Sequence, residues 1–171
     1  MKEKEITIYT DGACLGNPGA GGYAAILLSG NARKEISQGF RLTTNNRMEI
    51  LAVIMALKAL KNPTEYSIHI YTDSNLIVQA FNNHWINSWK ANNWRKSNKE
   101  AVLNPDLWME LDKWVQKYKP VFHHVKGHSG ILENENCDKL CKNAAMSDDL
   151  LIDLIYENNT RGIKANEQQI L

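Results

Sequence analysis

Two tetrapeptides in this chain are identical: Ile8-Tyr-Thr-Asp11 and Ile70-Tyr-Thr-Asp73. Each closes a stretch that reads as a β-strand, Glu5 to Thr10 and Tyr66 to Thr72, from alternation and β-branched residues. If those strands are parallel neighbours, both aspartates leave the sheet at the same end and on the same side. Adjacent carboxylates repel, and a hard divalent cation relieves the repulsion. Taken singly, each has a plainer use, Asp11 in a turn and Asp73 as a helix cap. The pairing is what points to metal-dependent chemistry.

Glu49 is the single charge in the apolar run Met48 to Leu57. A buried helix does not carry an ionised group there without a partner. Glu49 also lies three residues after Asn46, as in a capping box, and the local pattern leaves both readings open. Asp138 sits in Glu133-Asn-Glu-Asn-Cys-Asp138, where acids can simply be a solvated helix face. Cys137 beside it looks core-facing, which sets Asp138 near the edge of the buried stripe. His128 is flanked by glycines in Lys126-Gly-His-Ser-Gly130. A histidine on such a loop can carry protons near neutral pH, or be an idle surface residue.

Residues 11–22 read as a glycine-rich loop. No Gly-Lys-Ser/Thr follows, and the next element is a strand, so neither a Walker loop nor a dinucleotide fingerprint fits. Close approach of backbone to a ligand does fit. Asn17 in this loop, with Asn45 and Asn46 at a helix start, brings amides that donate and accept, as a ribose 2′-hydroxyl does. Asparagines also cap and turn chains, and Asn17 precedes Pro18. Residues 84–99 hold Trp85, Trp89 and Trp94 with Lys90, Arg95, Lys96 and Lys99, and no acid. Aromatics among cations can track a phosphate backbone, or the indoles can form a local core while the lysines face solvent.

The elements that must position these residues follow from pattern. Further strands are expected from Tyr23 to Leu28, Glu35 to Leu42 and Val121 to Lys126. Helices are expected from Asn45 to Leu60, after Asp73-Ser-Asn75, from Pro105 to about Tyr118, and from Leu132 to Met146. The first three strands suit an antiparallel meander, and the last two arrive by helical crossovers and should pair in parallel. Residues 1–146 form the expected catalytic domain. Residues 147–171 form a C-terminal extension, partly helical, in which Leu150, Leu151, Leu154 and Ile155 make the apolar face of a short amphipathic helix.

The 171 residues are 43% hydrophobic and 23% charged with net charge +1, so any nucleic-acid footprint must be local. Cys14, Cys137 and Cys141 are odd in number and form no C-x-x-C pair, which reads as reduced thiols of a cytoplasmic protein. No run is long enough to span a bilayer, and no membrane partner is expected.

Taken together, Tyr9-Thr-Asp-Gly-Ala-Cys-Leu-Gly-Asn-Pro-Gly-Ala-Gly-Gly-Tyr23, Thr43-Thr-Asn-Asn-Arg-Met-Glu49, Tyr71-Thr-Asp-Ser74 and Val125-Lys-Gly-His-Ser-Gly130 with the segment ending at Asp138 resemble the type I ribonuclease H family, especially its bacterial members. The resemblance covers about residues 4–146. It implies an α/β ribonuclease H-like fold, a five-stranded mixed sheet of order 3-2-1-4-5 flanked by helices. It implies an endonuclease that hydrolyses the RNA strand of RNA–DNA hybrids with two metal ions, leaving 5′-phosphate and 3′-hydroxyl ends. Asp11, Glu49, Asp73 and Asp138 become ligands for Mg²⁺, with Mn²⁺ as a substitute, and His128 assists. By the same carry-over Cys14, Asn17, Asn45 and Asn46 contact RNA, Thr44 and Asn104 hold a DNA phosphate, and Trp85 meets a DNA sugar.

The chain departs from the pattern in Asn75, where family members often have the longer Gln, and in a less basic tryptophan-rich segment. A monomer bound to a hybrid duplex is expected. The rival reading is a hybrid-binding module without catalysis.

Overall fold

The computed structural model describes residues 3–160. Its strands are β1 (Lys4–Leu15), β2 (Gly19–Ser29), β3 (Ala32–Thr43), β4 (Tyr66–Thr72), β5 (Val121–His124) and β6 (Leu150–Leu151). Its helices are α1 (Asn45–Lys58), α2 (Asn75–Asn82), α3 (Trp85–Ala91), α4 (Pro105–Tyr118) and α5 (Leu132–Met146). The sheet order is β5-β4-β1-β2-β3-β6. β1, β2 and β3 form the antiparallel meander, and β4 and β5 add in parallel. The expected 3-2-1-4-5 order is present, and β6 adds a sixth strand by parallel pairing of Leu150 and Leu151 with Gly39 and Phe40.

Alternation along β1 divides the core. Ile6 and Ile8 face the side where Ile50, Val53, Ile54 and Leu57 of α1 pack with Ile77, Trp108 and Phe122. Tyr9 and Ala13 face the other side, where Cys137 and Cys141 of α5 pack on Ala24 and Ile26. The wholly buried Ile8, Ile26 and Ile70 each contribute about 1.5–3 kcal/mol by removal from water. Trp85, Trp89 and Trp94 also pack against the larger cluster, so the indoles do form a local core.

Three expectations change. Residues 11–22 are not a loop: β1 runs through Leu15 and β2 begins at Gly19, leaving only a short turn. Glycine hides strand alternation because it has no side chain to alternate. Here close packing requires it: a Cβ on Gly12 would lie 2.4 Å from the Glu49 backbone nitrogen, and one on Gly22 the same distance from the Cys141 carbonyl oxygen. β5 stops at His124 rather than Lys126, and α1 stops at Lys58.

The third change is in the tail. Leu150 and Leu151 lie in a strand, and residues 154–160 are helical. The face turned inward is acidic, not apolar: Asp153 and Glu157 are buried, whereas Leu154 and Ile155 are 63% and 49% exposed. Two arginines explain the inversion. Arg47 Nε meets Asp153 Oδ2 at 2.7 Å, and Arg41 donates three bonds to the Glu157 carboxylate. Of residues 158–171, which the sequence makes too polar to pack strongly, 161–171 lie outside the described residues.

Candidate active site

The parallel register of β1 and β4 places Tyr9 opposite Tyr71 and Thr10 opposite Thr72. Asp11 and Asp73 follow at the same edge, as the repeated tetrapeptide predicts. Asp73 does not cap α2: the Ser74 hydroxyl accepts from the Ile77 N–H at 3.3 Å, which frees the Asp73 carboxylate. Nor does Glu49 complete a capping box with Asn46, because Thr44 caps α1 by accepting from the Arg47 N–H. Glu49 instead accepts from Asn45 Nδ2 at 3.1 Å and points to the aspartates.

Ligand atoms of Asp11, Glu49 and Asp73 lie within 4.8 Å of one another, and so do those of Asp11, Asp138 and Cys141. Four carboxylates from β1, α1, the end of β4 and α5 therefore share one place, with Asp11 common to both groups. Burial, then the charge of Asp73, pushes the Asp11 carboxyl up to about 8, despite a stabilising bond from the Gly12 N–H at 2.8 Å. Burial and Asp73 likewise push Glu49 up to about 7, against bonds from Ser74 and Asn45. Asp73 is raised mainly by burial, with the charge of Asp138 adding, while His124 and His128 oppose the rise. Asp73 Oδ1 is buried with no hydrogen-bond partner among the described residues. Carboxyl groups that raise one another, one of them buried and another with an unpartnered buried oxygen, fit a divalent cation bound through oxygen.

His128 is exposed and takes a left-handed backbone conformation (φ 56°) in the loop after β5. Its charge reaches Asp73. The same loop covers that carboxylate closely: a Cβ on Gly127 would sit 3.1 Å from Asp73 Oδ2. His124, at the end of β5, also acts on Asp73, and only the strand register brings it there.

Several candidate contact residues line the rim beside α1. Asn17, exposed at the hairpin turn, accepts from the Asn45 N–H at 3.1 Å. Asn46 is exposed. The Cys14 thiol is directed to the carbonyls of Gly19 and Thr43. Thr44 and Asn104 are joined through Arg47, whose N–H is bound by Thr44 Oγ1 and whose Nη1 donates to Asn104 Oδ1 at 3.3 Å.

Farther out, Asn75 opens α2 and is exposed. Trp85 lines a recess with Trp89, Arg95 and Lys96. Lys90 is paired with the buried Asp112 at 2.9 Å. Arg95 Nη1 donates to the Lys99 carbonyl, leaving both residues at the surface.

Sequence reasoning missed Arg47 and Cys141. Arg47 is a 4%-exposed cation held by Asp106 and Asp153. Its available signal was a charge directly before the apolar run of α1. For Cys141 the signal was its position three residues after Asp138, on one helix face.

Residues 3–146 match the family model described as RNase H. A ribonuclease H of Trichodesmium erythraeum (strain IMS101) is 50% identical over 156 residues, covering 91% of this chain and 98% of that protein. A ribonuclease H of Proteus mirabilis (strain HI4320) is 53% identical over 144 residues, covering 84% of this chain and 89% of that one. Among solved structures, LC9-RNase H1, described as a type 1 RNase H with the type 2 active-site motif, superposes with a TM-score of 0.73 at 30% identity, over 85% of this chain and 74% of that one. LC11-RNase H1 in complex with RNA/DNA hybrid shares the fold, with a TM-score of 0.60 at 24% identity, over 82% and 96% of the two chains. With its carboxylate cluster lying inside the matched residues, the chain belongs to the ribonuclease H family.

Proposed function

We propose that this enzyme hydrolyses the RNA strand of an RNA–DNA hybrid by a two-metal-ion mechanism, leaving 5′-phosphate and 3′-hydroxyl ends. The observation that carries the reading is the four-carboxylate cluster, with Asp11 buried at its centre and a buried Asp73 oxygen that has no hydrogen-bond partner among the described residues. A protein that only binds phosphates gains nothing from anions beside them, which disfavours the silent binding module.

Asp11, Glu49, Asp73 and Asp138 would hold two Mg²⁺ ions, with Mn²⁺ able to substitute. When bound, the ions supply an activated water and neutralise charge developing on the leaving oxygen. Asn45 orients the Glu49 carboxylate through its 3.1 Å bond, and its own backbone is tied to Asn17. His128, exposed in the loop after β5 and electrostatically coupled to Asp73, moves a proton at its imidazole during cleavage or product departure.

Asn17, Asn45 and Asn46 would read the RNA strand, since their amide groups match the donor and acceptor of a 2′-hydroxyl, and the family resemblance adds Cys14 to these contacts. Thr44 and Asn104 would receive a DNA phosphate. Trp85 would meet a DNA sugar, and Asn75, Lys90, Arg95, Lys96 and Lys99 would contact the hybrid; the Lys90–Asp112 pair leaves Lys90 the least available of these. All four carboxylates come from one chain, which suits a monomer. No described helix is long and apolar enough to cross a membrane. The three free cysteines suit a cytoplasmic setting. The test is a hybrid with labelled RNA incubated with Mg²⁺ or with EDTA. RNA fragments that disappear with chelator are expected, and binding without fragments would establish the silent module instead.

A further inference from the structure

β4 and β5 bring two histidines together outside the ligand groups around Asp11. Their parallel register sets His69 beside Val121 and Tyr71 beside His123. Ile68, Ile70 and Phe122 are buried in the larger core cluster, so His69, Tyr71, Val121 and His123 share the opposite face of the sheet. α5 packs on that face over β1, β2 and β3. The end formed by β4 and β5 stays open: Val121 is 49% exposed, and both histidines are half-buried.

His69 Nδ1 and His123 Nε2 lie 2.8 Å apart. The ring centroids are 5.1 Å apart and the planes differ by 20°, so the rings meet edge to edge, one N–H donating to the other nitrogen. His123 stacks on Tyr71, and Tyr71 on Tyr9, which fixes where the imidazole stands. Burial, then the neighbouring His69, holds the His123 pKa below the ordinary histidine value, with Glu5 opposing. A neutral imidazole keeps a lone pair for a metal.

We propose that His69 and His123 form a two-imidazole site for a borderline divalent cation of the Cu²⁺ or Ni²⁺ kind, with water completing its coordination. Imidazole suits these ions, whereas Mg²⁺ prefers oxygen. Two nitrogens bound side by side at about 2.0 Å stand roughly 2.8 Å apart in a tetragonal site, against about 3.3 Å in a tetrahedral one. The pair already has the tetragonal spacing. On binding, the N–H···N bond opens and the half-buried rings tilt until both lone pairs converge on the solvent side. The proton between them passes through solvent to the other nitrogen of the ring that carried it. Two metal–nitrogen bonds form, and no net proton is released. Glu5, whose charge reaches His123, favours a cation there.

The full chain, stripped of metal and kept in excess Mg²⁺, receives Cu²⁺ up to one equivalent, and its electron paramagnetic resonance spectrum is recorded. Wild type should show copper coupled to two imidazole nitrogens. His69→Gln and His123→Gln should each lose the two-nitrogen pattern. Each should also bind Cu²⁺ at least the roughly 10–100-fold more weakly that loss of an outer-shell partner costs. His84→Gln, His124→Gln and Asp11→Asn should match wild type. Thermal melts establish that the variants are folded, and the wild-type spectrum with its three controls decides the matter if neither His69→Gln nor His123→Gln folds. A wild-type spectrum without two coupled nitrogens overturns the proposal. So does a pattern that survives in either His69→Gln or His123→Gln, or that vanishes in a folded control.

Discussion

Arg47 Nε lies 2.7 Å from Asp153 Oδ2, although the two residues are 106 positions apart. Arg47 also makes two bonds to Asp106, so one guanidinium joins the start of α1, the start of α4 and the C-terminal extension. We read residues 1–146 as the catalytic domain and 147–171 as an extension that this pair fastens to it. Removing one partner of a buried ion pair costs about 3–5 kcal/mol, and Asp106 remains to compensate in part. Asp153→Ala is therefore expected to lower unfolding free energy by about 3 kcal/mol, and truncation after Met146 by at least as much, with cleavage retained. Urea unfolding of both variants measures this. A truncated chain as stable as the full one would show that the extension adds nothing.

The apoprotein should lose stability as pH rises. The Asp11 and Glu49 carboxyls sit at about 8 and 7, above unfolded values of 3.8 and 4.5. Between those limits the folded chain holds protons that the unfolded chain has released. Their contribution is thus present in full below about pH 4 and is lost as pH climbs towards 8. In EDTA, Asp11→Asn should be more stable than wild type at pH 8, on the order of 2 kcal/mol, with the gap closing near pH 5. Added Mg²⁺ should stabilise wild type and leave the variant nearly unchanged. Calorimetric melts at the two pH values check the sign; an equal melting temperature at pH 8 refutes the repulsion.

Asp11→Asn should bind hybrid but lose nearly all cleavage, because Asp11 is the residue common to both ligand groups. His128→Ala should slow turnover by about 10²–10⁴-fold and change KM little, since the imidazole serves proton movement and not duplex binding. Steady-state kinetics on both variants separates the roles. Equal inactivity would make His128 a primary catalyst, and wild-type rates would make it a bystander.

Substrate choice should follow the sugar. The asparagines beside α1 can bond a 2′-hydroxyl, which DNA lacks, and a second RNA strand should not fit the surface around Trp85. Cleavage is expected for RNA in a hybrid, with little on double-stranded DNA or double-stranded RNA. Comparable turnover of all three duplexes would remove the asparagines from recognition.

The repeated Ile-Tyr-Thr-Asp, the lone charge in α1 and the glycine-flanked histidine carried most of the site in the sequence, because strand ends and helix faces are local patterns. That the two Asp-bearing strands are neighbours was only a condition in the sequence; the family resemblance supplied the strand order, and the β1–β4 register meets it. Asp138 was legible only through family resemblance, since an acid among acids has no local signature. Residues 11–22 misled because glycines carry no side chain to show alternation; their packing against α1 and α5 made them strand. The leucines of the extension predicted an apolar helix face docked on the body or on a partner, and the face the fold turned to the body carries Asp153 and Glu157. Periodicity reports which residues share a face, but it cannot report what that face will meet. Here it met Arg47 and Arg41, whose charges had to be paired, and only the tertiary structure brought those partners together.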